Sequence, residues 1–537
     1  MPNTHLFGHA RKAPVADARN EAGGPAYALS PEHALAQYAV TGTFHRTFYA
    51  TDQQQLDKVA ELASAVRPEL VAKTAVYCRE HGRMKDVPAF LVAWLAAHDV
   101  SLMLRVFPRV IDDARMLRAF VAIVRSGVTG RKSFGSAPKR ALREWFAARS
   151  PETIFRQSIG QSPSMSDVIK MVRPPPRNAV GGKREADAVR EALYGYLIGK
   201  NVDCSKLPPL TQAFEAWKKN DREPLPDVPF EMLTALPLRA AHWTELAKKM
   251  TFNQLRQNLN TLYRHGVFAD PAIVGLVAEK LSDADAVRRS RTLPYQLLAT
   301  YRAVEQSMPP VIVSALARAV EHAVGNVPAI PGSVALCPDV SGSMHSPVTG
   351  HRGTATSKVR CIDVAALATA ALLRKNEHAT VLPFSDDVVQ LPRPLNALDS
   401  VVTNAELLSS LPSGGTSCAA PLRWLNARGT APDVVVFVSD NQSWADFRLA
   451  PRSADSGSSA TRGTVMAEEW DRLRAKNPRA KLVLVDLQPY ATTQVQTRSD
   501  VLNVGGFSDA VFDLVASFAS DDADGAAFLQ AIESIAV

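Results

Sequence analysis

The sequence predicts an all-α helical-repeat array followed by an α/β domain built on a parallel sheet, and three observations carry that expectation. From about residue 30 to 325, apolar residues recur at helical spacing with no convincing alternating strand. After the turn "NVPAIPG" at 326–332, short and almost wholly apolar runs alternate with helical stretches, the pattern of a parallel sheet covered on both faces. Charge changes at the same point. Residues 331–537 hold 17 Lys and Arg against 22 Asp and Glu, whereas the first 330 hold 44 against 31.

In the first half, Leu56, Val59, Ala60, Ala63 and Val66 mark a helix over 52–66, and the next helix opens at Pro68 and closes at Gly82. Val87–His98 and Asp112–Gly127 are predicted to follow. Helices of this length joined by short Pro- or Gly-marked turns suit stacked antiparallel pairs. No internal repeat is strong enough to prove it, and an irregular all-α domain is the alternative. In the second half "SVALCPD", "HATVLPFSDD", "PDVVVFVSD" and "AKLVLVDL" are predicted strands, and "SKVRCIDVAALATAALLRKN" and "VMAEEWDRLRAKN" predicted helices. The Ser/Gly-rich stretch 451–463 reads as a mobile loop.

A chain of 537 residues with 46% apolar and 21% charged residues suggests two or three globular domains. The N-terminal stretch lacks an apolar signal core, and the longest apolar run, "PAFLVAWLAA" at 88–97, is too short to span a bilayer. No membrane association is expected. Five scattered cysteines without C-x-x-C spacing argue against a disulfide framework or a zinc site, so a cytoplasmic location is the expectation.

Asp339, Ser341 and Ser343 form D-x-S-x-S at the end of a predicted strand; Thr416 follows two glycines in "LPSGGTS", and Asp440 ends the strand of "VFVSDN". In parallel sheets ligands gather at these carboxyl ends. Two carboxylates and three hydroxyls are hard oxygen donors suited to Mg²⁺ first, or to Mn²⁺ or Ca²⁺, and unsuited to Zn²⁺. With only two negative charges, such a set leaves the metal electrophilic enough to accept a partner's carboxylate. A phosphohydrolase of the haloacid dehalogenase kind needs a second Asp where Ser341 stands. A serine nucleophile wants a G-x-S-x-G elbow that is missing around Ser341. The order D-x-S-x-S, Thr, Asp resembles the metal-ion-dependent adhesion site of the von Willebrand factor A domain, over roughly 330–537. That resemblance implies that Ser341, Ser343 and Thr416 touch the metal, and that Asp339 and Asp440 act directly or through water.

Residues 125–184 hold thirteen basic residues against Glu144, Glu152 and Asp167. Within "APKRALREWFAAR", Ala141, Leu142, Trp145 and Phe146 form an apolar stripe opposite Lys139, Arg140 and Arg143. A short helix starting near Ser164 or Ser166 is predicted to bury Val168, Ile169 and Val172, to project Lys170 and Arg173, and to stop at Pro174. Such a single-sign surface suits nucleic-acid phosphates bound without sequence reading.

The two halves together resemble the Ro autoantigen family, proteins with a TROVE module and an A domain. "NEAGGPAYALS", "QYAVTGTFHRTFYA", "FNQLRQNLNTL", "LPYQLLATYRAV", "PFSDDVV", "LPSGGTSCAAPLRW", "DVVVFVSDNQSW" and "GFSDAVFDLVASF" carry the likeness. It implies an arm over 1–29, a HEAT-like helical ring over 30–328 and a Rossmann-like A domain over 329–537. It also implies a noncoding-RNA-binding protein that holds small structured Y RNA on its basic outer surface. Single-stranded 3′ ends of misfolded RNA would enter a central hole, with Arg256 in "FNQLRQNL" the leading candidate there. The family implies a role in RNA quality control or decay, and an exoribonuclease such as polynucleotide phosphorylase as a partner by analogy. The expected protein is non-catalytic and monomeric apart from RNA. Two readings compete with it. One is a metal-dependent hydrolase or nuclease at Asp339, for which no general base is identifiable; the other is an adhesion module whose helical half is a spacer, which needs no basic field.

Overall fold

The computed structural model describes residues 13–160, 162–178, 185–290, 292, 294–304, 306–325, 327–351, 359–446, 463–506, 508–520 and 522–537. Lys183 and Arg184 of the basic segment, and all but the last residue of the Ser/Gly-rich loop, lie outside them.

The chain opens with two short strands, β1 (Ala18–Arg19) and β2 (Pro25–Ala28). Helices α1 (Pro31–Thr41), α2 (Asp52–Ala65), α3 (Pro68–Glu80) and α4 (Asp86–His98) follow. Next come α5 (Val100–Val110), α6 (Ala114–Ser126), α7 (Ser136–Ala147), α8 (Pro151–Arg156) and α9 (Met165–Val172). A two-residue ladder, β3 (Arg177–Asn178) with β4 (Glu185–Ala186), separates these from α10 (Ala188–Leu197), α11 (Pro209–Lys219) and α12 (Phe230–Leu233). The helical part ends with α13 (Ala240–Lys249), α14 (Phe252–Arg264), α15 (Pro271–Ser282), α16 (Ala284–Ser290), α17 (Pro294–Ala303) and α18 (Pro310–Val324).

Helix ends fall where local chemistry puts them. The Thr51 and Ser164 hydroxyls accept the Gln54 and Asp167 N–H groups, and both boxes close reciprocally. Gly127 ends α6 at φ 82°, a conformation that favours glycine. Helix α5 escapes the sequence reading because Asp99 both ends α4 and caps α5, and because Pro108 inside it reads as a breaker.

The α/β part contains β5 (Val334–Pro338), α19 (Cys361–Lys375), β6 (Thr380–Val381), α20 (Val401–Ser409), α21 (Ala420–Ala427) and β7 (Val434–Ser439). It closes with α22 (Val465–Lys476), β8 (Lys481–Asp486), β9 (Thr492–Thr493), β10 (Val501–Gly505), α23 (Asp509–Ala519) and α24 (Ala527–Glu533). The sheet runs β10-β8-β7-β5-β6, all parallel. Strand β6 keeps only two residues of its predicted run, since Pro383 lacks the N–H a ladder needs. Strand β10 is a finding the sequence pattern conceals. Its central Asn503 is buried, with its amide satisfied by Val495, Thr493 and Thr497.

Alternate strand residues face different cores. Val334, Leu336, Val436, Val438, Val483 and Val485 join an apolar core continuous with the helical part, while Ala335, Cys337, Val435, Phe437, Leu482 and Leu484 pack with Trp470 and Tyr27. Tyr27 belongs to the N-terminal stretch, and β2 pairs antiparallel with β9. Residues 18–28 are therefore built into the A-domain side of the molecule. All five cysteines are unpaired, and no helix among the described residues is long and apolar enough to cross a membrane.

Helix neighbours form a closed circuit. Contacts run from α1 through α3, α4, α5, α7, α9, α10, α8 and α11. Trp217 of α11 meets His242 of α13 edge to face at 5.5 Å, and α13, α15 and α18 continue the stack. At its end α17 and α18 pack on α19 and α20; at its start α1 and α3 pack on α24. Ion pairs mark both junctions: Arg302 to Asp363 at 2.5 Å and Arg374 to Glu321 at 3.1 Å on one side, Arg67 to Glu533 at 3.0 Å on the other.

Acid sensitivity is expected at the starting junction. His33 of α1 meets Phe528 of α24 edge to face at 5.4 Å, and its Nε2 is buried without a partner. Burial pushes the imidazole down to about 4. The unfolded chain therefore binds this proton first, and stability falls as pH drops from the ordinary histidine value toward that range. We expect about 2 kcal/mol of the stability lost between pH 7.5 and 5 to disappear in His33→Gln, measured by denaturant unfolding at both pH values. An unchanged pH difference would place the acid sensitivity elsewhere.

Candidate metal centre and nucleic-acid interface

Strands β5 and β7 are register neighbours, with Pro338 opposite Val438, so Asp339 and Asp440 leave the sheet side by side at the carboxyl end. The Asp339 N–H donates to the Val438 carbonyl at 3.0 Å, which pins the start of the turn. Asp339 Oδ1 then accepts the Ser341 N–H at 2.8 Å, and Oδ2 accepts the Ser439 hydroxyl at 2.5 Å. A single 3₁₀ turn over Gly342–His345 brings the Ser341 and Ser343 hydroxyls to 3.3 Å of each other. The Ser343 side chain lies beside the Asp440 carboxylate.

The third loop is fastened to both of the others. The Gly342 N–H donates to the Gly414 carbonyl at 3.0 Å, and the Trp444 and Ala445 N–H groups both donate to the Thr416 carbonyl at 3.0 Å. A Cβ on Gly415 would sit 2.3 Å from Asp386 Oδ1 and 2.8 Å from the Trp444 ring, so only glycine fits there. Asp446 braces this loop by accepting from Ser417, Ser443 and Arg423 at 2.6, 2.7 and 2.9 Å.

All five residues predicted as metal donors are thus brought to one place, and none is more than 5% exposed. Burial pushes the Asp339 carboxyl up; burial first, and then the Asp339 charge, push Asp440 up. Among the described residues no Lys or Arg pairs with either carboxylate, and no group of three or more His, Cys, Asp or Glu is placed to hold a metal. The donors are therefore two carboxylates and hydroxyls, a hard-oxygen set that fits Mg²⁺, Mn²⁺ or Ca²⁺. A bound cation would offset the two buried negative charges.

Several participants carry no sequence signal. Ser439 is a strand residue, and it reaches Asp339 only because β5 and β7 pair. Asp486 ends β8 and adds a buried carboxylate beside Asp440, its own charge disfavoured first by burial. Tyr49 comes from the helical part, and its side chain lies beside Ser343.

On the basic side, α7 buries Ala141, Leu142, Trp145 and Phe146, and α9 buries Val168, Ile169 and Val172, as their spacing predicts. Arg173 takes φ 50° and caps α9 ahead of Pro174. Arg125, Lys132, Arg140, Lys170, Arg173 and Arg177 are exposed, and no carboxylate among the described residues pairs with them. Several of the other described cations make contacts within the fold. Lys139 is half-buried, and Arg143 donates to the Val172 carbonyl at 3.1 Å, tying α7 to α9. Arg131 holds Ser133 and Ala96 carbonyls, Arg149 stacks on Trp145, and Arg156 pairs with Asp227. Arg256 is half-buried on α14, away from α7 and α9 in the chain. Its Nε donates to Asn253 at 3.0 Å and its Nη1 to Thr300 of α17 at 3.3 Å.

Comparison with known proteins shows what the chain is similar to. The TROVE domain matches residues 225–332, and the Ro60 vWA domain matches residues 333–454. A Deinococcus radiodurans protein described as RNA-binding protein RO60 is 26% identical over 543 residues, covering 93% of this chain and 95% of that protein. A Caenorhabditis elegans protein of the same description is 28% identical over 187 residues, covering 33% of this chain and 28% of its own length. The crystal structure of the Deinococcus radiodurans RO (RSR) protein matches with a TM-score of 0.60 at 21% identity, covering 92% of this chain and 100% of that one, a likeness of fold. With matches to the TROVE domain and the Ro60 vWA domain adjacent in one chain, and a likeness that runs almost end to end, the protein is similar to the Ro family.

Proposed function

We propose that this protein binds noncoding RNA through the exposed cations of residues 125–177, from α6 to β3, and does so without cleaving it. The observation that carries the reading is the set Arg125, Lys132, Arg140, Lys170, Arg173 and Arg177, solvent-facing and unpaired by carboxylates among the described residues. Such cations neutralise phosphates and release counterions, which supplies affinity without base reading. The Arg143 bond to α9 supports this by fixing two basic helices relative to each other. The relative described as an RNA-binding protein over nearly its whole length supports it independently.

In finer terms, the ligand of the outer face is a small structured Y-type RNA, and single-stranded 3′ ends of misfolded RNA enter the helical circuit near Arg256. The role is RNA quality control or decay in the cytoplasm, with an exoribonuclease such as polynucleotide phosphorylase as partner. The protein acts as a monomer apart from RNA. The Asp339 cluster holds Mg²⁺ and presents it to an acidic group.

Two measurements test this. Filter binding of a structured small RNA with a single-stranded 3′ tail should weaken about tenfold in Lys170→Ala/Arg173→Ala, with the salt slope reduced by about two. Arg428→Ala on the A domain should leave both unchanged, and the RNA should stay intact on a denaturing gel with or without EDTA. RNA cleavage that EDTA prevents would favour a nuclease. For the metal, Mg²⁺ should raise the thermal midpoint of the wild-type protein, because binding to the folded state alone stabilises it by about 2.7 kcal/mol at a hundredfold excess over Kd. Ser341→Ala and Thr416→Ala should lose most of that increment, and an equal increment in both variants would remove these hydroxyls from the site.

A further inference from the structure

The metal cluster is closed from the helical side. Each of its five donor residues is nearly fully buried, although the A-domain loops carrying them stand at the edge of the sheet. The cover is the connection between α1 and α2. Its Tyr49 side chain lies beside Ser343 and near the Asp440 and Asp339 carboxylates. The Tyr49 ring meets Tyr490 at 6.1 Å, edge to face, and the Tyr490 hydroxyl in turn donates to Thr47 at 3.4 Å.

The same connection is stitched to the loop that follows the metal turn. Thr43 donates its hydroxyl to the Thr349 carbonyl at 2.7 Å, and the His351 N–H donates to the Arg46 carbonyl at 2.8 Å. A Cβ on Gly350 would come within 2.6 Å of the His45 Cβ, and Gly350 has φ 71°, so glycine is needed for this approach. From its own side, Gln55 of α2 donates to the His45 carbonyl at 2.6 Å, and Phe44 packs on Phe90 of α4. The strap is therefore held at its ends by both parts of the molecule, while Phe48 beside Tyr49 is 53% exposed.

We propose that Tyr49 is the closing group of the cation site, so that cation occupancy and the order of residues 43–50 are coupled, and an acidic partner reaches the cation only after this strap moves. The proposal rests on reading the Asp339 cluster as a cation site. A phenol oxygen is a further hard, neutral donor that adds no charge to the set, and it acts on the cation directly or by orienting Ser343. Such a contact makes the helical part a participant in the A-domain site.

The test uses the full chain with Mn²⁺ as probe. Isothermal titration should show Mn²⁺ binding to the wild-type protein, and about tenfold weaker binding to Tyr49→Phe. Circular dichroism and the thermal midpoint check that the variant folds. Hydrogen exchange read on peptides covering 43–51 needs no variant: saturating Mn²⁺ should slow it by about threefold or more in the wild-type protein. Mn²⁺ binding that leaves this exchange unchanged, or that is as tight or tighter in Tyr49→Phe, overturns the proposal and spares the cation site. A wild-type protein that binds no Mn²⁺ overturns both.

Discussion

The burial of two neighbouring carboxylates, Asp339 and Asp440, is the constraint on which the rest of the site depends. Parallel pairing of β5 with β7 sets them side by side, and packing removes nearly all of their water. An unpaired buried charge is costly, and two of like sign cost more. The surrounding loops answer with neutral donors: the Ser341 N–H and Ser439 hydroxyl on Asp339, and the Gln442 N–H on Asp440, with the Ser343 side chain beside it. Hydrogen bonds soften the penalty without cancelling the charge. A basic side chain in the cluster would cancel it and leave nothing for a cation to do.

That constraint explains which parts were legible in the sequence. The ligand loops are readable because each donor sits at a fixed offset within one short turn, and because almost wholly apolar strands announce a parallel sheet. The α7 and α9 faces are readable because helical spacing separates Leu142 and Trp145 from Arg140, and Val168 and Ile169 from Lys170. What escapes depends on pairing between distant segments. Ser439 acquires its role from strand register, Asp446 from a loop that folds back on Ser417, and Tyr49 from a connection nearly 300 residues before the metal turn. Composition misleads in a second way. A count of thirteen cations over 125–184 does not separate Lys170, which faces water, from Arg149, which stacks on Trp145 and donates to the Trp145 and Asp112 carbonyls.

The helical circuit and the A domain also share more than a boundary. One face of the sheet, through Val436, Val438 and Val485, continues directly into the core that runs through the helices, so neither part buries its apolar surface alone. Residues 18–28 reinforce this from the other end of the chain, sending Tyr27 into the opposite sheet face while β2 pairs with β9. A molecule built this way resists separation into a helical unit and an adhesion unit, because each would expose core residues that the other covers.

The D-x-S-x-S turn sits where both ends of the circuit arrive. Arg302, from α17 at the end of the helical part, grips Asp363 in the first turn of α19, and Asp363 also holds Arg360 and through it His345, two residues past Ser343. Asp363 is nearly fully buried, and these two guanidinium groups pull its carboxyl below its ordinary range against burial. Buried pairs of this kind add little net stability, yet removing one partner strands the other, so they specify geometry more than they strengthen it. Tyr49, from the first connection of the circuit, reaches the same turn. Both ends of the helical circuit therefore place side chains at the turn that carries Asp339, and the Asp339 cluster is a junction between the two parts of the chain.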